Sequence, residues 1–278
     1  FGRLMADAAT LFFISIFGIV VKQHEAVFET AELAFSCAAF FGCCWALTRP
    51  YWGSALAGFA CGASILCSNL LVGATVLVGC LMSHILVRGI GDTSRKIFTT
   101  IAVAFVTFGL WPLVSYLLAG VVAGDYFNLW AQRQIQIVGF FDPQEILWFI
   151  KHFIWYLCPV WPFAFWAIWM WRKNLTVTHI ALPLSFCFAW FVGFMLSSDV
   201  AAETLLSVTI APLCVLATFG LMACNRSTKS MLELFSVAVF TLALAGVWAY
   251  FIAWTLGFPP KMHWSILRLT ADESVSHA

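Results

Sequence analysis

The chain has 278 residues, of which 63% are hydrophobic and only 10% charged, and its mean hydropathy is +0.95. An ordinary soluble domain carries about 25% charged residues, and even a domain of roughly 300 residues leaves about a quarter of its chain surface exposed. Water-soluble packing is therefore excluded, and the composition reads as an all-α, multi-pass membrane protein. The net charge of +1 also excludes nucleic acid as a partner, because phosphate binding needs a concentrated basic face.

A helix needs about 20 apolar residues to cross the hydrocarbon core, and on that measure about nine spans are expected. The chain opens at Phe1, and Arg3 followed by the apolar run 6–21 has the outline of a signal peptide. A small-x-small cleavage site is missing before Lys22, so this run reads as the first span of something longer. The eleven residues 22–32 follow. They hold Lys22, His24, Glu25, Glu29 and Glu32 between long apolar stretches. The second span is 30–47, and the turn Thr48-Arg49-Pro50 closes it. Spans three (53–67) and four (70–87) are separated only by Ser68-Asn69, which predicts a tight helical hairpin rich in small residues (Gly58, Ala60, Gly62, Ala63). Small residues let membrane helices approach closely. The loop 88–96 leads to a fifth span, 97–123.

The longest polar segment, 124–145, interleaves Asp125, Gln132, Arg133, Gln134, Gln136, Asp142 and Glu145 with Trp130, Phe140 and Phe141. That mixture suits an amphipathic helix lying in the membrane interface. The apolar run 146–171 contains Lys151 and His152, and Pro159 and Pro162 break or kink it. An interfacial first half and a crossing second half are expected. Of the five tryptophans in 155–171, those at the ends read as interface belts. Spans seven to nine are 180–196, 204–223 and 232–256, so residues 1–256 form one helical membrane domain and 257–278 a polar tail. The 10 cysteines are scattered and form no CxxC, and they read as small packing residues.

Basic residues orient the topology. With the N-terminus inside, the inner segments hold Arg3, Arg49, Arg88, Arg95, Lys96, Arg172, Lys173, Arg226 and Lys229, nine of the 14. Among the acids only Asp7, Asp92 and Glu233 then lie inside, and the other ten of 13 lie outside. Segments 22–32, 124–145 and 197–203 thus share the extracytoplasmic face, and the C-terminus is outside.

Glu25, Glu29 and Glu32 are spaced i, i+4, i+7 and fall on one helix face. One reading is structural, since carboxylates suit the positive N-terminal end of a helix. The other is a carboxylate site that acts as a general base or holds a divalent cation, with His24 as an added ligand. Lys151 and Arg133 divide similarly between snorkelling at the interface and contact with a phosphate. Ser197-Ser198-Asp199 with Glu203 reads as a solvated turn on pattern alone. Among these segments no Walker loop, GxGxxG or HExxH occurs.

Several segments taken in order resemble the GT-C membrane glycosyltransferases of family 39, which include protein O-mannosyltransferases and aminoarabinose transferases. They are His24-Glu25 with Glu29 ahead of a small-rich helix; 58–69; Leu157-Cys158-Pro159-Val160-Trp161-Pro162 running to Trp166 and Arg172; Ser197-Ser198-Asp199 leading to Leu205-Leu206 and Pro212; and Val247-Trp248 through Trp254 to Gly257-Phe258-Pro259. The resemblance implies transfer of a sugar from a polyprenyl-phosphate donor to a lipid, glycan or protein acceptor on the outer face of a bacterial inner membrane. It makes Glu29 and Glu25 the catalytic acids, gives His24 and Glu25 to a divalent metal, and gives Arg133, Lys151 and Asp199 to substrate. The family's first loop, with its leading acid, would precede Phe1. The pattern departs at Ser68-Asn69, where the family tends to carry lysine-glycine, and at Val200-Ala201-Ala202, where relatives often carry a base. A transporter or flippase for a lipid-linked sugar and a non-catalytic membrane scaffold are the alternatives.

Overall fold

The computed structural model describes residues 2–22, 28–87, 89–137, 139, 146–197, 204–258, 260–261 and 264. Among them the secondary structure is twelve α-helices with no strand. These are α1 (Gly2–Ser15), α2 (Phe17–Lys22), α3 (Phe28–Trp45), α4 (Pro50–Cys67), α5 (Leu70–Leu86), α6 (Thr93–Ala119), α7 (Val121–Ile137), α8 (Ile146–Tyr156), α9 (Val160–Met170), α10 (Thr178–Met195), α11 (Leu206–Ala223) and α12 (Arg226–Leu256). The chain divides into two units, Phe1–Ala223 and Cys224–Ala278. Three helices are long and apolar enough to cross a membrane, over Thr93–Leu118, Thr178–Met195 and Leu206–Ala223. Counting the bent pair Phe149–Tyr156 and Val160–Met170 as one span makes four. This is a helical protein built to sit in a membrane.

Local chemistry sets the helix limits in the first unit. Pro50 occupies the first turn of α4, where its missing N–H costs nothing. The Asn69 side chain caps α5 by accepting from Val72 N–H at 2.8 Å, and Asp92 caps α6 by accepting from Ser94 N–H at 3.2 Å. Gly120, at φ +54°, separates α6 from α7. Glycine takes that backbone conformation without a Cβ penalty, so the fifth apolar run ends in a turn before residue 123 and α7 begins within it.

The first apolar run is two helices rather than one. Its break falls at Ile16, where Phe17 N–H donates to Cys158 carbonyl at 3.2 Å instead of continuing the α1 ladder. Tyr156 fills the space beside Gly18 in which a side chain would otherwise stand. The break between α8 and α9 falls at Leu157–Pro159 as the prolines imply, and the two helices meet at a 95° bend. Pro162 is absorbed in the first turn of α9, where proline is tolerated.

Two apolar cores hold the unit together. One joins α3, α4, α5 and α10 around Phe40, Val72, Val76 and Phe186. The other joins α9, α10 and α11 around Leu157, Ile180, Ile210 and Leu216. The hairpin of α4 and α5 is present, but the small residues of α4 serve other neighbours. Gly58 and Gly62 lie against the Thr100 and Ala104 carbonyls of α6, and Gly53 lies against the Ala46 backbone after α3, facing Gly42. Their i, i+4 spacing places Gly58 and Gly62 on one face, and that face meets α6 rather than α5. The cysteines are small packing residues here: all are free, and Cys61 and Cys80 touch with sulfurs 3.7 Å apart inside the first core.

In the second unit the described structure is α12, which ends at Gly257 in the left-handed conformation (φ +67°). This is the glycine stop common at helix C-termini.

Candidate functional site

Helix α3 starts at Phe28 with Glu29 in its first turn, where the helix dipole favours a carboxylate. Glu32 follows three residues on and turns inward. It is fully buried, at 0% exposure, whereas Glu29 is half-buried. The two carboxylates stand three residues apart on one side of the helix.

Glu32 meets the ends of two other helices. The Ser207 hydroxyl, in the first turn of α11, hydrogen-bonds to Glu32 Oε1. The same hydroxyl lies 2.7 Å from the Thr204 carbonyl. A serine has one hydrogen to give, so two acceptors compete for it. Glu32 Oε2 has no hydrogen-bond partner among the described residues, and neither does the hydroxyl of Ser36, four residues on along α3. A second hydroxyl, that of Ser68 in the turn between α4 and α5, also acts on the carboxylate as a hydrogen-bonding group. A buried carboxylate oxygen without a donor is costly, and Oε2 is an acceptor open to a hydroxyl or amine hydrogen.

The α4–α5 turn also ties in α7. Leu70 N–H donates to Gln134 Oε1 at 2.8 Å, and Asn69 Nδ2 donates to Ser68 Oγ at 3.1 Å. Gln134 is buried and its neighbour Arg133 is exposed. A further bond, from Gly139 N–H to the Leu196 carbonyl at 3.1 Å, holds the segment after α7 to the end of α10. The start of α3, the α4–α5 turn, the end of α7 and the start of α11 are thus gathered at one end of the first unit, which is hereafter the acid end.

The residues proposed from sequence fall into two groups. Glu29 and Arg133 stand at the acid end on connected elements. Lys151 is exposed on α8; two residues before it, Phe149 packs against Trp190 and Phe194 near the end of α10. Among the described residues no hydrogen bond or ion pair joins Glu29, Arg133 and Lys151 to one another. His24, Glu25 and Asp199 lie outside the described residues, and with them the suggested metal pair. Glu32 is the residue that spacing undervalued. The available signal was its immediate setting, Ala31 before and Leu33 after, which embeds the acid in an apolar run instead of ahead of it.

Comparison with family models, with curated proteins and with solved structures finds no match to this chain.

Proposed function

We propose that the protein is a membrane glycosyltransferase that moves a sugar from a polyprenyl-phosphate donor to a lipid, glycan or protein acceptor on the extracytoplasmic face, in a fold of about nine spans with its N-terminus inside. The family resemblance motivates the reading. The observation that carries it in the structure is Glu32 Oε2, an acceptor with no donor, beside a second acid at the point where several helix ends meet. Sugar transfer to a hydroxyl calls for such a pair. One carboxylate must reach the acceptor hydroxyl as general base, within hydrogen-bond distance, and polar groups must hold the sugar. Glu29, half-exposed at the mouth, suits the base. Glu32, sunk beneath it and steadied by Ser207, suits a hydroxyl of the bound sugar. Arg133 on α7 offers its guanidinium to the leaving phosphate, whose charge needs cationic groups around it, and Lys151 is the other candidate. In this fold α7 is the interfacial helix. Since His24 and Glu25 lie outside the described residues, no step is routed through a metal.

The test is a comparison of membrane glycolipids and glycans, by mass spectrometry, among cells carrying the native gene, a deletion, and Glu29→Gln. A sugar lost in the deletion and equally lost in Glu29→Gln supports the assignment. A glycan profile in the deletion identical to wild type removes the glycosyltransferase reading, and a wild-type profile in Glu29→Gln alone removes Glu29 as base.

A flippase for the same lipid-linked sugar is the second reading, and the 95° break between α8 and α9 favours it, because transporters place broken helices around their substrates. Proteoliposomes separate the two readings, since a flippase moves an intact labelled lipid-linked sugar between leaflets without cleaving it.

A further inference from the structure

Helices α6 and α7 meet beside the end of α4 around a cavity of about 270 Å³. Five of its lining residues are aromatic: Phe108 and Trp111 from α6, and Tyr126, Phe127 and Trp130 from α7. Their spacing explains the gathering. Phe108 and Trp111 stand three apart, and Tyr126 and Trp130 four apart, so each pair shares one face of its helix. Ring contacts fix the set. Trp111 meets Tyr126 at 5.5 Å and Phe127 at 5.4 Å, both edge to face, and Phe108 meets Trp130 at 5.9 Å. Trp111 and Tyr126 are exposed and the other three rings half-buried, so the set is accessible from outside.

Two further lining residues give the cavity its place and its polarity. Leu66 lies near the end of α4, two positions before Ser68. Gln134, one turn after Trp130, accepts from Leu70 N–H at 2.8 Å. The cavity therefore adjoins the acid end, but neither Glu29 nor Glu32 lines it. Pro112 stands inside α6 and also lines the cavity. It has no N–H, so the Phe108 carbonyl, four residues back, lacks its helical donor. Among the described residues no lysine or arginine lines the cavity. Tryptophan and tyrosine gather where a membrane meets water, and Trp111, Tyr126 and Trp130 put this cavity at headgroup depth.

The faces of aromatic rings are negative, and they hold a cation more strongly as water is excluded. A carbonyl short of its donor adds an acceptor of the same sign. A hexose would bring more hydroxyls than two indole N–H groups and one phenol can satisfy. A hydrocarbon chain would leave the carbonyl unmet. We infer that this cavity binds an alkylammonium group, with an N–H directed to the Phe108 carbonyl and the carbon atoms against the rings of Trp111, Tyr126 and Trp130. An ethanolamine lipid headgroup and a free amine present the same chemistry. The site is separate from the sugar-transfer reading and does not depend on it.

The test uses the full chain, labelled with fluorotryptophan, in phosphatidylglycerol nanodiscs, which carry no ammonium. Loss of one fluorine NMR resonance in Trp111→Phe and of another in Trp130→Phe assigns the two rings. Methylammonium chloride is titrated against sodium chloride at equal ionic strength and against methanol as the uncharged analogue. Phosphatidylethanolamine is added in a separate preparation. Both resonances move saturably with an amine and stay in place with sodium chloride and methanol. Movement with phosphatidylethanolamine identifies a lipid headgroup, and movement with methylammonium alone identifies a free amine. In Trp130→Leu the Kd, read on the Trp111 resonance, rises about tenfold, and in Trp130→Phe it stays within about threefold. The site is overturned by resonances that neither amine moves, by an equal response to methanol, or by an unchanged Kd in Trp130→Leu.

Discussion

The two ends of the first unit each bury one ionisable side chain, Glu32 and Lys96, and are tied together differently. At the acid end Glu32 has a hydrogen-bond partner, Ser207, on a helix far away in sequence, and the surrounding ties run through side chains: Gln134, Asn69, Ser68. At the other end, the basic end, where Lys96 lies in the first turns of α6, the ties are backbone and tight packing: Ile90 to Leu47, Gly53 against Ala46, Gly58 against Thr100. The ties at the acid end run through side chains that can change rotamer, whereas those at the basic end run through main chain held by close packing.

The largest expected effect tests the rigid end. Gly53→Leu places atoms into the Ala46 backbone where α3 and α4 meet, and overpacking against immobile backbone is among the few mechanisms that cost more than about 4 kcal/mol. Little folded protein should be recovered by size-exclusion chromatography. A normal yield would show that the basic end yields as readily as the acid end. The next effect sharpens the comparison by replacing each ionisable side chain. In neutral lipid Glu32→Gln and Lys96→Met should each hold or raise stability, by up to about 2 kcal/mol, because a desolvated ionisable side chain is a burden that a neutral one lifts. Thermal unfolding in phosphatidylcholine nanodiscs measures this. A fall of more than about 1 kcal/mol in either variant would mean that the charge is better partnered than its contacts show. The smallest effect is Ser207→Ala, which deletes one hydrogen bond to a charged group and should cost about 1–2 kcal/mol. Restoration of most of that loss by Ser207→Thr would confirm the hydroxyl as the cause.

Much of the helical plan was legible because the bilayer imposes long apolar runs with polar interruptions. The limits of α3, α4, α5, α10 and α11 follow from Glu29, Pro50, Asn69 and the Ser197 region, all visible as polar or turn-forming residues. The Leu157–Pro159 break was visible for the same reason. What periodicity could not show was tertiary. Ile16 is an ordinary apolar residue, and the break there depends on the Cys158 carbonyl reaching Phe17 N–H. Gly58 and Gly62 announced close packing without naming α6 as the partner. Lys96 read as the last residue of a basic loop, yet Asp92-Thr93-Ser94 is a helix-start signal that draws it into α6 and turns it inward. Glu32 read as one of three acids on a face, and only the approach of Ser207 across the fold separates it from Glu29.

The length of α6 has a consequence for the host membrane. Its 27 residues open with the polar turn Thr93-Ser94-Arg95-Lys96, and the apolar remainder extends about 35 Å at the helical rise, against a hydrocarbon thickness of about 30 Å. Much of its apolar surface, including Phe98, Phe105, Leu113, Leu117 and Leu118, is exposed on the unit and available to acyl chains. Such a helix is long enough to cross with some tilt, and its exposed flank makes lipid a direct neighbour of the first unit.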